Sequence, residues 1–345
     1  MIKLLLIGSG SVHTYNYFNL VKDYFDEVRV VTDRIHSGYE KYGFVKGDFT
    51  IKDPAKALKN IRFIKDQISQ FKPDIIHVQQ ANSTAFLTIR ANAKFKIPLV
   101  LTAWGSDILM LSERHFLIRK MAGYNLSHAD YLTADAAFVG DKMVDIVPET
   151  KNKILIANFG IEPFYQPAAK ENIIYSNRLH KELYRIDKVI MGFARFVEKA
   201  HDNWKLVIAA DGDKTGDLKK LTSDLKLNDR VEFIGWVEKA KNQEMYSRAK
   251  IFVSVPRSDA TAISLLEAMH AGCIPVVSDL PAAREWINDG ENGVIVNSFD
   301  EDFFARALTL SYEKLVAKNK SIIDKKGLKS INREKFINLY DKLLH

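Results

Sequence analysis

Ser254-Val-Pro-Arg-Ser-Asp-Ala-Thr-Ala-Ile-Ser-Leu-Leu-Glu-Ala-Met-His-Ala-Gly-Cys-Ile-Pro-Val-Val-Ser278 reads as strand, loop, helix and strand. A β-branched run, Ile251 to Val255, stops at Pro256, and polar residues lead into a long apolar helix pattern. Asp259 and Thr261 are residue types that cap helix N-termini, and Gly272 stands where a helix end needs positive φ. Leu265, Ala268, Met269 and Gly272 follow the i, i+3, i+4, i+7 spacing of a core-facing stripe. Ile263, Leu266 and His270 make a second, partly apolar face, and Ser264, Glu267 and Ala271 a third. Glu267 is thus the one carboxylate on a helix that reads as buried nearly all round. A lone charge there is costly unless something binds it. Solvation at a helix edge, or pairing with an Arg, is the plain alternative.

At 1.5 Å rise per residue, Asp259 and Glu267 stand about 12 Å apart along the helix axis. That is the reach of a nucleotide-sugar from hexose to ribose. Carboxylates accept hydrogen bonds from sugar hydroxyls, and a helix N-terminus between them offers N–H groups and a positive dipole end to phosphate.

Working outward, strands are predicted at Asn172 to Ser176, Lys205 to Ala210, Arg230 to Ile234, Ile251 to Val255, Ile274 to Ser278 and Gly293 to Val296. Helices are predicted from about Asp300 to Lys318 and Asn332 to Leu343. The first half alternates in the same way. Ile2 to Ile7 is a buried strand, Gly8-Ser-Gly-Ser-Val-His13 a turn, Thr14 to Phe25 a helix and Val28 to Thr32 a strand. Further strands are expected at Asp74 to Val78, Pro98 to Thr102, Asp130 to Thr133 and Lys153 to Ile156. Alternation of this kind implies parallel sheets. Two prolines and a glycine interrupt the pattern at Phe159-Gly-Ile-Glu-Pro-Phe-Tyr-Gln-Pro167, which reads as a linker. Residues 1–162 and 163–328 are therefore expected to form two doubly wound α/β domains, with 329–345 a closing helix.

The 345 residues suit two ordinary cores. No stretch approaches the roughly 18 uncharged apolar residues of a membrane span. Met1 to Gly8 reads as a strand rather than a leader, so a cytoplasmic location is expected and a periplasmic sugar-binding protein is not. The single Cys273 rules out an internal disulfide and a multi-cysteine metal site. The net charge of +7 permits contact with phosphates or an anionic membrane, and residues 51–100 carry nine Lys/Arg against three Asp/Glu. The cations are dispersed, and no aromatic-interleaved basic motif points to nucleic acid.

The segment Ser258 to Met269, with Pro281-Ala-Ala-Arg-Glu-Trp-Ile287, resembles the Glu-x7-Glu region of glycosyltransferase family 4, with Asp259 in the first acidic position. These are retaining enzymes of the GT-B fold, in which two Rossmann-like domains face a cleft and the last helix commonly returns to the first domain. The likeness is strongest to members that build bacterial surface polysaccharides. It implies a metal-independent hexosyltransferase with no cofactor. The donor would be a UDP- or GDP-linked sugar, and the acceptor a glycan or polyprenyl-linked lipid.

The resemblance carries over residue by residue. Arg178, in Ser176-Asn-Arg-Leu-His-Lys-Glu-Leu-Tyr-Arg-Ile-Asp187, matches an Arg that holds the donor diphosphate. The family's partner Lys falls on Leu183, leaving Lys181 or Arg185 as substitutes. Gly235, in Arg230 to Trp236, matches the turn beside the nucleobase. Asp259, Glu267 and the backbone N–H groups of Thr261, Ala262, Ile263 and Ser264 complete the donor side. Gly10, Ser11 and His13 resemble the first loop, near donor phosphates and acceptor. Trp104-Gly105 stands where many members have His-Gly, so Trp104 would stack on a sugar or fill a wall. Asp107 is a candidate acceptor contact or base, and equally a helix N-cap. Thr133 to Asp135 and Asn158 to Glu162 match more weakly.

Three alternatives stay open. A catalytically silent nucleotide- or glycan-binding relative would account for Asp259, Trp104 and the missing Lys. Gly8-x-Gly10-x-x-His13 with Asp33 partly imitates a dinucleotide fingerprint, although His13 replaces the third glycine. Arg114-His-Phe-Leu-Ile-Arg-Lys-Met121 would lie on a membrane or pack as an ordinary helix.

Overall fold

The computed structural model describes residues 1–35, 43–110, 115–164, 169–200 and 202–345. They divide into two compact units, Met1–Phe159 with Lys329–His345, and Gly160–Leu328.

The first unit holds β1 (Lys3–Gly8), β2 (Glu27–Thr32), β3 (Phe44–Lys46), β4 (Ile75–Gln79), β5 (Leu99–Ala103), β6 (Tyr131–Ala134) and β7 (Ile154–Ile156). Their order is β3-β2-β1-β4-β5-β6-β7, and every pairing is parallel. Leu4, Leu5, Leu6 and Ile7 are fully buried because helices cover both faces of β1, which is why it reads as an unbroken apolar run. The three-residue β3 carries too little pattern to be predicted. The first helix is Val12–Val21 with a 3-10 turn at Lys22–Tyr24, so it starts two residues before the expected Thr14.

The helix Lys329–Leu344 packs on the helix Val12–Val21 of this unit. A buried polar chain holds it there. The Tyr340 hydroxyl lies 2.8 Å from His77 Nδ1 and also meets the Tyr17 hydroxyl, which is 2.9 Å from the same nitrogen. His77 Nε2 reaches Thr102 Oγ1 at 2.6 Å, and Thr102 reaches Thr133 Oγ1 at 2.6 Å. Burial holds the His77 imidazole neutral, with its pKa lowered to about 3.

The second unit holds β8 (Glu171–Ser176), β9 (Lys205–Ala209), β10 (Val231–Gly235), β11 (Ala249–Ser254), β12 (Ile274–Ser278) and β13 (Val294–Val296), in the order β10-β9-β8-β11-β12-β13 and again all parallel. Side chains alternate between two cores. Ile174, Ile251, Val253 and Ile274 face the helices Ile186–Lys199 and Phe303–Leu308. Tyr175, Phe252 and Val277 face the helices Lys239–Arg248 and Ile263–His270. The expected single helix from Asp300 to Lys318 is two, Phe303–Leu308 and Tyr312–Ile322, because the chain turns at Thr309 and restarts behind Ser311.

Two units, each built on a parallel sheet, are what the resemblance to the GT-B fold implies. Among the described residues, no helix is long and apolar enough to cross a membrane. Residues 165–167 of the expected linker, and Arg114, lie outside the described residues.

Candidate functional site

In the second unit the chain winds from β8 outward through β9 and β10, then returns to place β11 on the other side of β8. The crevice beyond the carboxyl ends of β8 and β11 is therefore the topological switch point, where open parallel sheets bind ligands. Arg178 leaves the end of β8 and Asp259 the end of β11. They meet: Arg178 Nη2 donates to Asp259 Oδ2 at 2.7 Å, and Nη1 donates to Ser264 Oγ at 3.0 Å. The Arg178 guanidinium lies 4.5 Å from the centre of the Tyr184 ring, which fixes its plane. The pair is largely enclosed, with side-chain exposures of 12% and 26%.

The helix after β11 is Ile263–His270, capped by Ala262 without a side-chain bond. It starts later than Asp259 and Thr261 suggested, so neither residue caps it. Asp259 sits in the irregular stretch before it, where its Oδ1 accepts the Ala260 N–H at 3.1 Å. The axial spacing worked from a continuous helix therefore does not apply. Eight residues still make two turns, and Ser264 in the first turn accepts from Arg178. Leu265, Leu266, Ala268 and Met269 are buried and hold the helix to the sheet, each worth about 2 kcal/mol for the larger side chains. Gly272 ends it at φ 75°.

Glu267 keeps its place on the third face. Burial raises its pKa above the ordinary value, opposed by the Tyr246 hydroxyl and by Lys239. Tyr246 belongs to a network that also contains Asn177. Asn177 Nδ2 donates to the Tyr246 hydroxyl at 2.8 Å and to Asn242 Oδ1 at 3.1 Å, which also accepts from Tyr175 at 2.7 Å. Asn177 precedes Arg178, so the network ties the two halves of the site together. The sequence reading missed Asn177, Tyr184, Asn242 and Tyr246. Asn242 and Tyr246 at i, i+4 on one helix face were the available signal. Gly235 ends β10 at φ 67°, and its carbonyl accepts the Ala210 N–H at 2.7 Å.

The substitutes for the missing Lys do not join Arg178. Arg185 Nε donates to the Val255 carbonyl at 2.7 Å and Nη2 to that of Pro256 at 2.6 Å, with the guanidinium over Phe299. It braces the end of β11. Lys181 is exposed and lines a cavity of about 370 Å³ with Arg185, Lys188, Lys214 and Arg257. The 3-10 turn Glu182–Tyr184 separates the two residues.

In the first unit the switch point lies between β1 and β4. Gly10 is required there, since a Cβ would stand 2.5 Å from Arg34 Cβ, and its N–H donates to Asp33 Oδ1 at 2.5 Å. Ser11 is the N-cap of Val12–Val21 and makes no side-chain cap bond. His13 stacks on Trp104 at 5.2 Å and on Phe159 at 5.8 Å, and those two rings stack at 4.4 Å. Three segments distant in sequence thus meet in one aromatic stack, and the sequence reading gave Phe159 only as part of the linker and a weak match.

Asp107 is neither N-cap nor free base. Gly105 precedes the short helix Ser106–Leu109, and the Asp107 carboxylate accepts the N–H groups of Ala81 at 2.7 Å and Trp104 at 3.0 Å. Burial raises its pKa, and those backbone bonds oppose the rise. It is a strut between the loops after β4 and β5.

Residues 162–325 match the family model described as "Glycosyl transferases group 1", and residues 3–136 the one described as "Glycosyl transferase 4-like". The chain belongs to the family 4 glycosyltransferases. Alpha-monoglucosyldiacylglycerol synthase of Streptococcus pneumoniae is 23% identical to this family 4 chain, over 76% of it and 66% of the relative. The lipopolysaccharide core glycosyltransferase LpsE of Rhizobium meliloti is 25% identical, over 68% of this chain and 70% of its own length. The chain thus spans about two thirds of the length of these curated relatives. HepE of Anabaena, solved in complex with UDP, superposes with a TM-score of 0.85 at 14% identity, covering 99% of this chain and 100% of its own. The oxidoreductase alternative falls. The family match excludes it, and Asp33, which would have to bind a dinucleotide ribose, is held by Gly10.

Proposed function

We propose that this family 4 glycosyltransferase moves a hexose, with retention and without a divalent metal, from a UDP- or GDP-linked sugar to a glycan or lipid-linked acceptor of a bacterial surface polysaccharide or glycolipid. The observation that carries the reading is the meeting of Arg178, Asp259 and Ser264 at the mouth of the β8–β11 crevice. A leaving diphosphate needs positive charge, and Arg178 with the first-turn N–H groups of Ile263–His270 supplies it. Glu267 accepts ribose hydroxyls, and Asp259 accepts hydroxyls of the transferred sugar. Gly235 leaves the end of β10 clear for the nucleobase. The His13–Trp104–Phe159 stack offers an apolar face to an acceptor sugar.

Attack from the leaving-group face, with the phosphate taking the acceptor proton, is the retaining route that the family resemblance implies. The pneumococcal relative, an alpha-monoglucosyldiacylglycerol synthase, supports a lipid acceptor. Phe116, Leu117 and Ile118 are exposed at 49%, 59% and 40%, next to Arg119 and Lys120, and suit docking on an anionic leaflet.

Calorimetric titration with UDP, GDP and CDP tests the donor site, and failure of all three to bind ends the reading. Turnover with lipid-linked acceptors then tests transfer, and NMR of the product's anomeric configuration tests retention. The engagement of Asp107 and Arg185 elsewhere favours a silent nucleotide-binding relative as the second reading. Nucleotide binding with no turnover across donors and acceptors would establish it.

A further inference from the structure

Arg178 already has an anion. Its guanidinium plane is fixed against Tyr184, and one edge is filled by Asp259 Oδ2 at 2.7 Å and Ser264 Oγ at 3.0 Å. At 12% and 26% side-chain exposure, water screens this pair less than it does a surface ion pair. A diphosphate arriving on the same edge meets a carboxylate of its own sign. Either Asp259 leaves or the diphosphate is repelled.

Asp259 is free to leave in a way that Arg178 is not. It stands in the irregular stretch between β11 and the helix Ile263–His270, and its second oxygen holds only the adjacent Ala260 N–H at 3.1 Å. Two neighbouring cations are engaged. Arg257 donates to Glu182 at 2.8 Å, and Arg185 to the carbonyls of Val255 and Pro256. A displaced Asp259 therefore needs a new donor, and the hydroxyls of a hexose supply one.

We infer that Asp259 is a built-in competitor for the phosphate edge of Arg178, released by ligands that offer the carboxylate sugar hydroxyls in exchange. The inference rests on the donor site proposed above and adds a specificity to it. The site prefers intact nucleoside-diphosphate sugars to bare nucleotides and inorganic diphosphate, because a bare diphosphate must displace Asp259 without compensation. Asp259 thus determines specificity through the partner it gives up as well as the one it gains.

Titration calorimetry of the full chain and of Asp259→Asn tests this with inorganic pyrophosphate, UDP, GDP, UDP-glucose and GDP-mannose. The neutral amide no longer competes. Pyrophosphate and the bare nucleotides are expected to bind about ten-fold tighter to Asp259→Asn, the scale of one charge-assisted hydrogen bond. The sugar nucleotides bind no better, or weaker, so the preference narrows or inverts. Bare diphosphates binding unchanged or weaker to Asp259→Asn would overturn the inference. The double variant Arg178→Ala/Asp259→Asn must lose the gain. If it keeps the gain, the effect is general charge removal and the exchange is refuted. Tighter pyrophosphate binding to Asp259→Asn with no nucleotide bound by either protein would uphold the exchange and refute the donor reading.

Discussion

His77 should make the first unit acid-sensitive at a pH where carboxylates are still ionised. Its ring is fully buried between Tyr17, Tyr340 and Thr102, and its pKa is lowered to about 3 from the ordinary 6.5. Between those values the unfolded chain binds a proton that the folded chain refuses. Stability from this group is therefore complete above about pH 6.5 and is lost as pH falls, by up to about 1.4 kcal/mol per pH unit, levelling only near the folded value. At pH 5 the loss relative to pH 8 comes to about 2 kcal/mol. His77→Gln keeps polar atoms at the site and removes the titration. Hydrogen exchange of the β4 amides, Ile75 to Gln79, reads the opening free energy of this sheet separately from the second unit. The variant is less stable than wild type at pH 8, and the gap closes by about 2 kcal/mol at pH 5. A gap that stays constant between pH 8 and pH 5 refutes the reasoning.

The site gives three further expectations. Arg178→Ala weakens binding of UDP or GDP by roughly ten- to a hundred-fold while circular dichroism stays unchanged, and Arg178→Lys recovers only part because the two-pronged geometry is lost; equal affinities in a titration would disprove it. Glu267→Gln abolishes most transfer yet raises thermal stability at neutral pH, because burial holds the native carboxyl above its unfolded value. That gain disappears below the ordinary carboxylate range, and melting curves at pH 7 and pH 4 check the sign. Asp107→Ala unties the loops after β4 and β5 and costs on the order of 2–4 kcal/mol. If Asp107→Ala instead keeps its melting temperature and loses turnover, Asp107 is chemical rather than structural.

The strands were legible because parallel sheets bury both faces, and runs such as Leu4–Ile7 and Ile251–Val253 carry that burial openly. Arg178 and Asp259 stood out through the resemblance to the family's donor site, whereas Glu267 was legible because a lone charge on an apolar helix is costly without a purpose. The helix start was not, since Asp259 and Thr261 are good caps locally but Arg178, brought in from another strand, claims the Asp259 carboxylate. Lys181 and Arg185 were candidates through the resemblance, and the carbonyls of Val255 and Pro256 that Arg185 serves lie some 70 residues away, where local pattern carries no sign of them. Asp107 shows the same limit, because the N–H of Ala81 that it serves is 26 residues away. The His13–Trp104–Phe159 stack joins three separate segments, and periodicity carries no trace of such a meeting.

The Tyr340 hydroxyl in the centre of the first unit has a consequence for the order of synthesis. Ribosomes deliver residues 160–328 before Lys329–Leu344, so the second unit can close while the first still lacks the tyrosine that seals His77 and Tyr17. The amino-terminal half of the chain must wait, unfinished, for its last turn of helix. A premature stop after Leu328 would spare the half made later and strand the half made first.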